Sequence, residues 1–137
     1  MAAMDYSYNT DLNLVILRPN GVVSIENILS YGNELLEKGY MTQGTIEYVD
    51  MSEIKDLSIN YSSAHNLVTM HDKWLDAGWF GSYYYAPRDI HIGIVNMVGS
   101  IVKTQPNHNL PEDIMLPLRE KIEPEAVREY LQKHRNL

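Results

Sequence analysis

The segment LNLVILRP (residues 12–19) is apolar on both of its faces. In an extended chain Leu12, Leu14 and Ile16 point one way, and Val15 and Leu17 point the other. A strand of that composition belongs near the middle of a sheet, with layers covering both sides. Upstream, Met4, Tyr6 and Tyr8 alternate with Asp5, Ser7 and Asn9, the period of a half-buried strand, and residues 9–11 supply a turn. The chain therefore opens with a hairpin. Downstream, Pro19, Asn20 and Gly21 punctuate the second strand.

Helical spacing takes over after Ser24, a good N-cap. Ile25, Ile28, Leu29, Leu35 and Leu36 form one stripe, and Gly39 ends the helix. Gly32 lies on that stripe, where the missing side chain predicts a close approach of the helix to the sheet. GTIEYVDM (44–51) reads as a third strand and residues 50–63 as a polar loop. A second helix over 61–77 stops at Gly78, and WFGSYYYAP (79–87) reads as a fourth strand. Pro87 and Arg88 open a third helix that runs to about residue 103. A short fifth strand is expected within the Pro-bearing stretch 104–124. Pro124 then opens a last helix with Val127, Tyr130 and Leu131 as its apolar stripe. Strands alternating with helices predict an α/β sandwich in a single domain over 1–137. Its sheet is mixed but mainly parallel, with four to five strands, an N-terminal hairpin and four helices.

Composition narrows the function. The chain has 137 residues, enough to bury roughly two-thirds of its unfolded surface in one core. Its net charge is -7 with no cluster of Lys and Arg, which argues against nucleic acid and anionic lipid as partners. It has no cysteine, so disulfides, thiolate catalysis, Cys-ligated zinc and iron–sulfur clusters are excluded. The N-terminal residues carry no signal-peptide pattern, and no stretch approaches the roughly 20 apolar residues of a membrane span. A cytoplasmic protein without a cofactor is expected.

Three stretches carry a family likeness: LVILRPNGVVSIENI (14–28), IEYVDMSEI (46–54) and APRDIHIGIVNM (86–97). In order and spacing they resemble the STAS domain, named for sulfate transporters and anti-sigma-factor antagonists, and more narrowly its small stand-alone bacterial members without assigned activity. The likeness covers about residues 4–103, and leaves the Pro-bearing segment and last helix (104–137) outside that core. It implies a non-enzymatic regulatory protein that binds a protein partner or its own copy. It also implies where a switch would sit. In anti-sigma-factor antagonists an Asp-Ser pair opens the second helix, and the serine is phosphorylated by the partner kinase. A phosphate there meets free amides and the positive end of the helix dipole. The pair should fall near Asn60 and Tyr61, but this chain reads SINYSSAH (58–65). The loop is therefore expected not to be a phosphorylation switch. Ser58, Ser62 and Ser63 remain as displaced phosphoacceptors, against helix capping by Ser58 or Asn60.

Two further groups of residues stand out. His71 sits at the centre of the second helix's apolar arc and His91 inside that of the third. Tyr83, Tyr84 and Tyr85 end the fourth strand, where ligands favour open α/β sheets, and Arg88 adds a positive charge. His71, His91, Tyr83, Tyr85 and Arg88 are the candidate pocket of an alternative function, a small-molecule or lipid-binding module. Against this, each histidine also reads as a core imidazole with a structural partner, and the tyrosines as the rim of a core. His65 and His71 are six apart and cannot share a helix face, which argues against a helix-borne metal site. The second group belongs to the third helix, whose apolar arc is far wider than the roughly 100° of a surface helix. Ile92, Val95 and Val102 lie on its flanks and mark an expected interface, covered by the last helix, the Pro-bearing tail or another subunit.

Overall fold

The computed structural model describes residues 3–58, 61–103 and 114–135. Among these described residues there are six strands: β1 (Ala3–Asn9), β2 (Leu14–Ser24), β3 (Ile46–Asp50), β4 (Ile54–Ser58), β5 (Gly81–Tyr85) and β6 (Met115–Leu118). The helices are α1 (Ile25–Glu37), α2 (Ala64–Ala77), α3 (Asp89–Lys103) and α4 (Val127–Arg135). The strands run in the order β1-β2-β3-β5-β6, and β4 pairs with the far end of β2. Only the β1–β2 hairpin is antiparallel.

The hairpin, the mainly parallel sheet and the four helices match the expected architecture. The sixth strand does not appear in the sequence reading, because Ile54 and Leu57 are its only buried residues and they stand three apart. What holds β4 is the continuation of β2 beyond Pro19–Gly21. Those residues do not end the strand. Gly21 takes φ 86° and the register slips there, so that β2 resumes as Val22–Ser24 against Asp56–Ser58.

Side-chain alternation sends β2, β3 and β5 into two cores. Val15, Leu17 and Val49 join α1, α2 and α3 on one face, with Leu35, Leu67, Trp74, Ile94 and Val95. Leu14, Ile46, Tyr48 and Tyr83 meet Val127 and Leu131 of α4 on the other. The α4 face is fastened at its end by Arg135, which lies over the ring of Phe80 and donates to the Phe80 carbonyl.

The helix boundaries follow local chemistry. Ser24 caps α1 by accepting from the Asn27 amide, while the Asn27 side chain accepts from the Ser24 amide, a reciprocal capping box. Gly78 ends α2 at φ 109°, where a β-carbon would lie 2.4 Å from the Gln43 backbone.

Of the covers expected for the broad face of α3 (the last helix, the tail or another subunit), the last helix meets a correction. α4 lies across the sheet from α3. The tail over 104–113 lies outside the described residues. Val95 and Val102 are already buried within the chain, because α3 packs against α2 and against β4 and β6 of the sheet. Ile92 is half-buried, and Ile90, which opens the helix, is 39% exposed.

Candidate functional site

Glu47 occupies the centre of the sheet, paired with Val15 on β2 and Ser82 on β5. Its parity along β3 is that of Val49, so it points into the layer of α1, α2 and α3, where it is 3% exposed. A carboxyl taken that far from water needs hydrogen-bond donors. Tyr31 of α1 donates its hydroxyl to Oε2 at 2.5 Å, and Ser82 donates to Oε1 at 2.6 Å. The Trp79 indole N–H donates to the same Ser82 oxygen at 3.1 Å, which leaves the serine proton free for Glu47. Burial raises the pKa of Glu47 above the usual carboxyl range, opposed by the hydrogen bonds from Ser82, Tyr31 and Tyr84. Burial, and then the Glu47 charge, push the Tyr31 and Tyr84 phenols well above the ordinary tyrosine value. The two tyrosines thus remain donors over the physiological range.

Glu47 faces an internal cavity of about 70 Å³ between the sheet and the three helices. Tyr31, His71, Trp74 and Tyr84 line the cavity together with apolar side chains such as Val23, Leu57, Met70, Val95 and Val98. His71 is 3% exposed, packs its ring at 5.3 Å from both Trp74 and Trp79, and places Nδ1 3.0 Å from the Leu67 carbonyl. That carbonyl accepts only, so Nδ1 carries a proton.

The structure separates the other sequence candidates. His91 is fully buried but ties α3 to β4. Its Nδ1 accepts from the Arg88 amide at 3.2 Å, and Nε2 donates to the Ile54 carbonyl at 3.3 Å, which together assign the Nε2–H tautomer. Tyr83 and Tyr85 point to the α4 face, where Tyr83 donates to the Glu120 carbonyl. Of the three tyrosines it is Tyr84, through strand alternation, that reaches the cavity with His71. Arg88 is exposed at the start of α3. His71 is therefore the one member of the five-residue candidate pocket that lines this cavity.

Glu47 and Tyr31 escaped the sequence reading. The signal was available in IEYVD, since an acidic residue inside a strand apolar on both faces must be buried among donors.

The serines are also placed. Ser58 ends β4 opposite Ser24 and is not the cap of α2, a role the sequence offered it; Asn60 lies outside the described residues. Ser62 and Ser63 belong to a 3-10 turn before α2, whose N-cap is Ser63, without a side-chain capping bond. The Ser63 hydroxyl donates to Glu26 Oε1 at 2.8 Å. A phosphate on Ser63 would meet that carboxylate, a like-charge contact that opposes it.

Among the described residues no group of three or more His, Asp or Glu side chains is arranged to hold a metal ion, and no helix is long and apolar enough to cross a membrane.

No protein-family profile matches the chain, and no curated protein matches it. Solved structures do. The unphosphorylated form of the anti-sigma factor antagonist SpoIIAA superposes with a TM-score of 0.53, covering 93% of this chain and 97% of that one at 15% identity. An uncharacterised DUF3478-family protein with a SpoIIAA-like fold, from Shewanella loihica PV-4, gives 0.53 over 88% and 87% at 12% identity. A proposed anti-sigma factor antagonist from Thermotoga maritima gives 0.52 over 92% of each chain at 18% identity. At such identities the likeness is one of fold.

Proposed function

From the premise that this chain has the STAS-like fold of the anti-sigma factor antagonists, we propose that it is a non-enzymatic regulatory protein of the cytoplasm that acts through a protein partner or its own copy. The observation that carries this reading is the burial of the three acid–base groups that the core contains. Glu47, His71 and His91 are each at most 3% exposed, so none meets a substrate at the surface. The surface is left for recognition. The match to SpoIIAA over nearly the whole of both chains supports the same class of role.

The serine at the start of α2 is a poor switch here, because Ser63 already donates to Glu26. Partner binding is therefore governed by something other than phosphate on that helix. The test is sedimentation velocity of the purified chain over a concentration series, alone and with each anti-sigma factor encoded in its own genome. A concentration-dependent dimer or a stable stoichiometric complex is expected. A monomer throughout, with no complex with any of them, overturns the reading.

A further inference from the structure

Among the described residues, three strands of the sheet have a neighbour on one side only: β1, β4 and β6. A bare edge offers its backbone amides and carbonyls to any other strand, and folds guard against this with short edges, Lys, Pro or bulges. β4 is five residues long and carries Lys55, and β6 is four and carries Pro117. β1 has none of these guards. It runs for seven residues, keeps an unbroken register against β2 and holds one charge, Asp5. On β2 the Asn13 carbonyl accepts from the Ile46 amide, so the odd-numbered residues of that strand turn their backbone groups toward β3. Met4, Tyr6 and Tyr8 face Pro19, Leu17 and Val15, and these are therefore the non-hydrogen-bonded pairs of the hairpin. The amides and carbonyls of Met4, Tyr6 and Tyr8 accordingly point outward from the sheet.

The same three side chains lie on the α1 face and are half-buried, with Tyr6 edge-on to Tyr31 and Tyr8 stacked on Tyr40. Asp5 and Ser7 are exposed on the opposite face. A strand that pairs with its own copy about a two-fold axis runs antiparallel to it. Centring that axis on Tyr6 gives the longest overlap. Tyr6 then lies opposite Tyr6, and Met4 opposite Tyr8, so the apolar sides cover one another. Each Asp5 lies opposite a Ser7, whereas an axis at Asp5 would oppose two carboxylates. The groove that α1 forms beside Met4 carries neutral Asn27 and Ser30 in its N-terminal half, and Glu34 and Glu37 in its C-terminal half. The two-fold turns each acidic half toward the other helix's neutral, dipole-positive half. Hydrogen bonding, charge and packing are thus self-complementary in one register. On the reading that the chain works through protein contacts, we propose that its partner at this edge is a second copy. The two chains join antiparallel through β1 into one continuous sheet.

The exposed face of β1 allows a test that leaves the core untouched. Ser7→Lys sets a cation opposite Asp5 of the other copy and should tighten the dimer. Ser7→Asp sets a like charge there and should loosen it. Each should move the dimer Kd by about threefold or more, read by sedimentation over a concentration series. The absence of cysteine from the chain lets single-cysteine variants report the register. Residues 5 and 7 of opposite copies form a non-hydrogen-bonded pair with Cα atoms about 4.5 Å apart, within disulfide reach. Identical positions lie roughly 7–8 Å apart, beyond it. An oxidised equimolar mixture of Asp5→Cys and Ser7→Cys should therefore give the mixed disulfide in excess of random pairing, and this decides even if a Ser7 charge variant misfolds. A dimer whose Kd does not move in opposite directions in the two folded variants, or a mixture without that excess, overturns the proposal and leaves the broader reading standing. So does a monomer that still forms a stable complex with an anti-sigma factor. A monomer that forms no complex overturns both.

Discussion

A β-carbon at Gly32 of α1 would lie 1.9 Å from the Sδ of Met70 and 2.7 Å from its Cε. Met70 belongs to α2 and is 2% exposed, but its flexible thioether also lines the internal cavity and can turn toward it. The same close approach lets the Trp74 indole donate to the Gly32 carbonyl at 3.1 Å. Gly32→Ala is therefore expected to destabilise the fold by no more than about 1 kcal/mol, the low end of overpacking, because Met70 can give way and alanine favours the helix. If the clash with Met70 is the cause, adding Met70→Ala should cost less in the Gly32→Ala background than in the parent. A double-mutant cycle by urea denaturation measures that coupling. A cycle that closes to zero would mean that Gly32 matters for its backbone alone. The sequence places Gly32 on the apolar stripe and expects a close approach to the sheet, whereas the element that packs there is α2, through Met70. That partner was not legible, because helix spacing says which face is packed and not which element packs on it.

At the scale of elements, the breadth of the α3 apolar arc was legible and its covering was not. The sequence presents Ile54 and Leu57 in a polar surround, so β4 reads as loop, and one of the elements that cover α3 goes unseen. A long-range pairing created it, through the slip at Gly21 and the bond from His91 to the Ile54 carbonyl. Strand alternation, by contrast, was legible throughout β2, β3 and β5, and it carried Glu47 into the core even though the residue was overlooked. The arrangement predicts an unequal response along one helix. Val95 is 3% exposed and lines the cavity, so Val95→Glu buries an unpaired charge and should leave the chain unfolded. Ile90 is 39% exposed, and Ile90→Glu should shift stability by no more than about 0.5 kcal/mol. Thermal melts followed by circular dichroism separate the two. Loss of folding in Ile90→Glu, or a native melt in Val95→Glu, would mean that α3 is rotated from the packing described.

For the whole molecule, the buried carboxyl links folding to pH. Glu47 has its folded pKa raised by burial above the value of 4.5 expected for an unfolded chain. Between those two values the native state holds more protons than the unfolded state, so stability falls as pH rises. The contribution is fully present below 4.5 and is lost as pH climbs through the folded value. Glu34 responds in the opposite sense, since the neighbouring Tyr6 hydroxyl and Lys38 ammonium lower its pKa. A bare stability curve therefore mixes the two. Glu47→Gln isolates the buried group, because the amide does not titrate and Glu34 is present in both proteins. Tyr31 and Tyr84, with raised values, lose their protons only above the ordinary tyrosine range and stay silent in this window. Urea denaturation of both proteins at a series of pH values from 4.5 to 8 is the measurement. The stability of the parent relative to Glu47→Gln should be greatest at the acid end and decline steadily from there. A difference that instead grows with pH would show that the donors from Tyr31, Ser82 and Tyr84 outweigh desolvation and that Glu47 is most stable in the fold as a carboxylate. A carbon-detected NMR titration of the Glu47 side chain gives the independent check, with a midpoint above 4.5 expected.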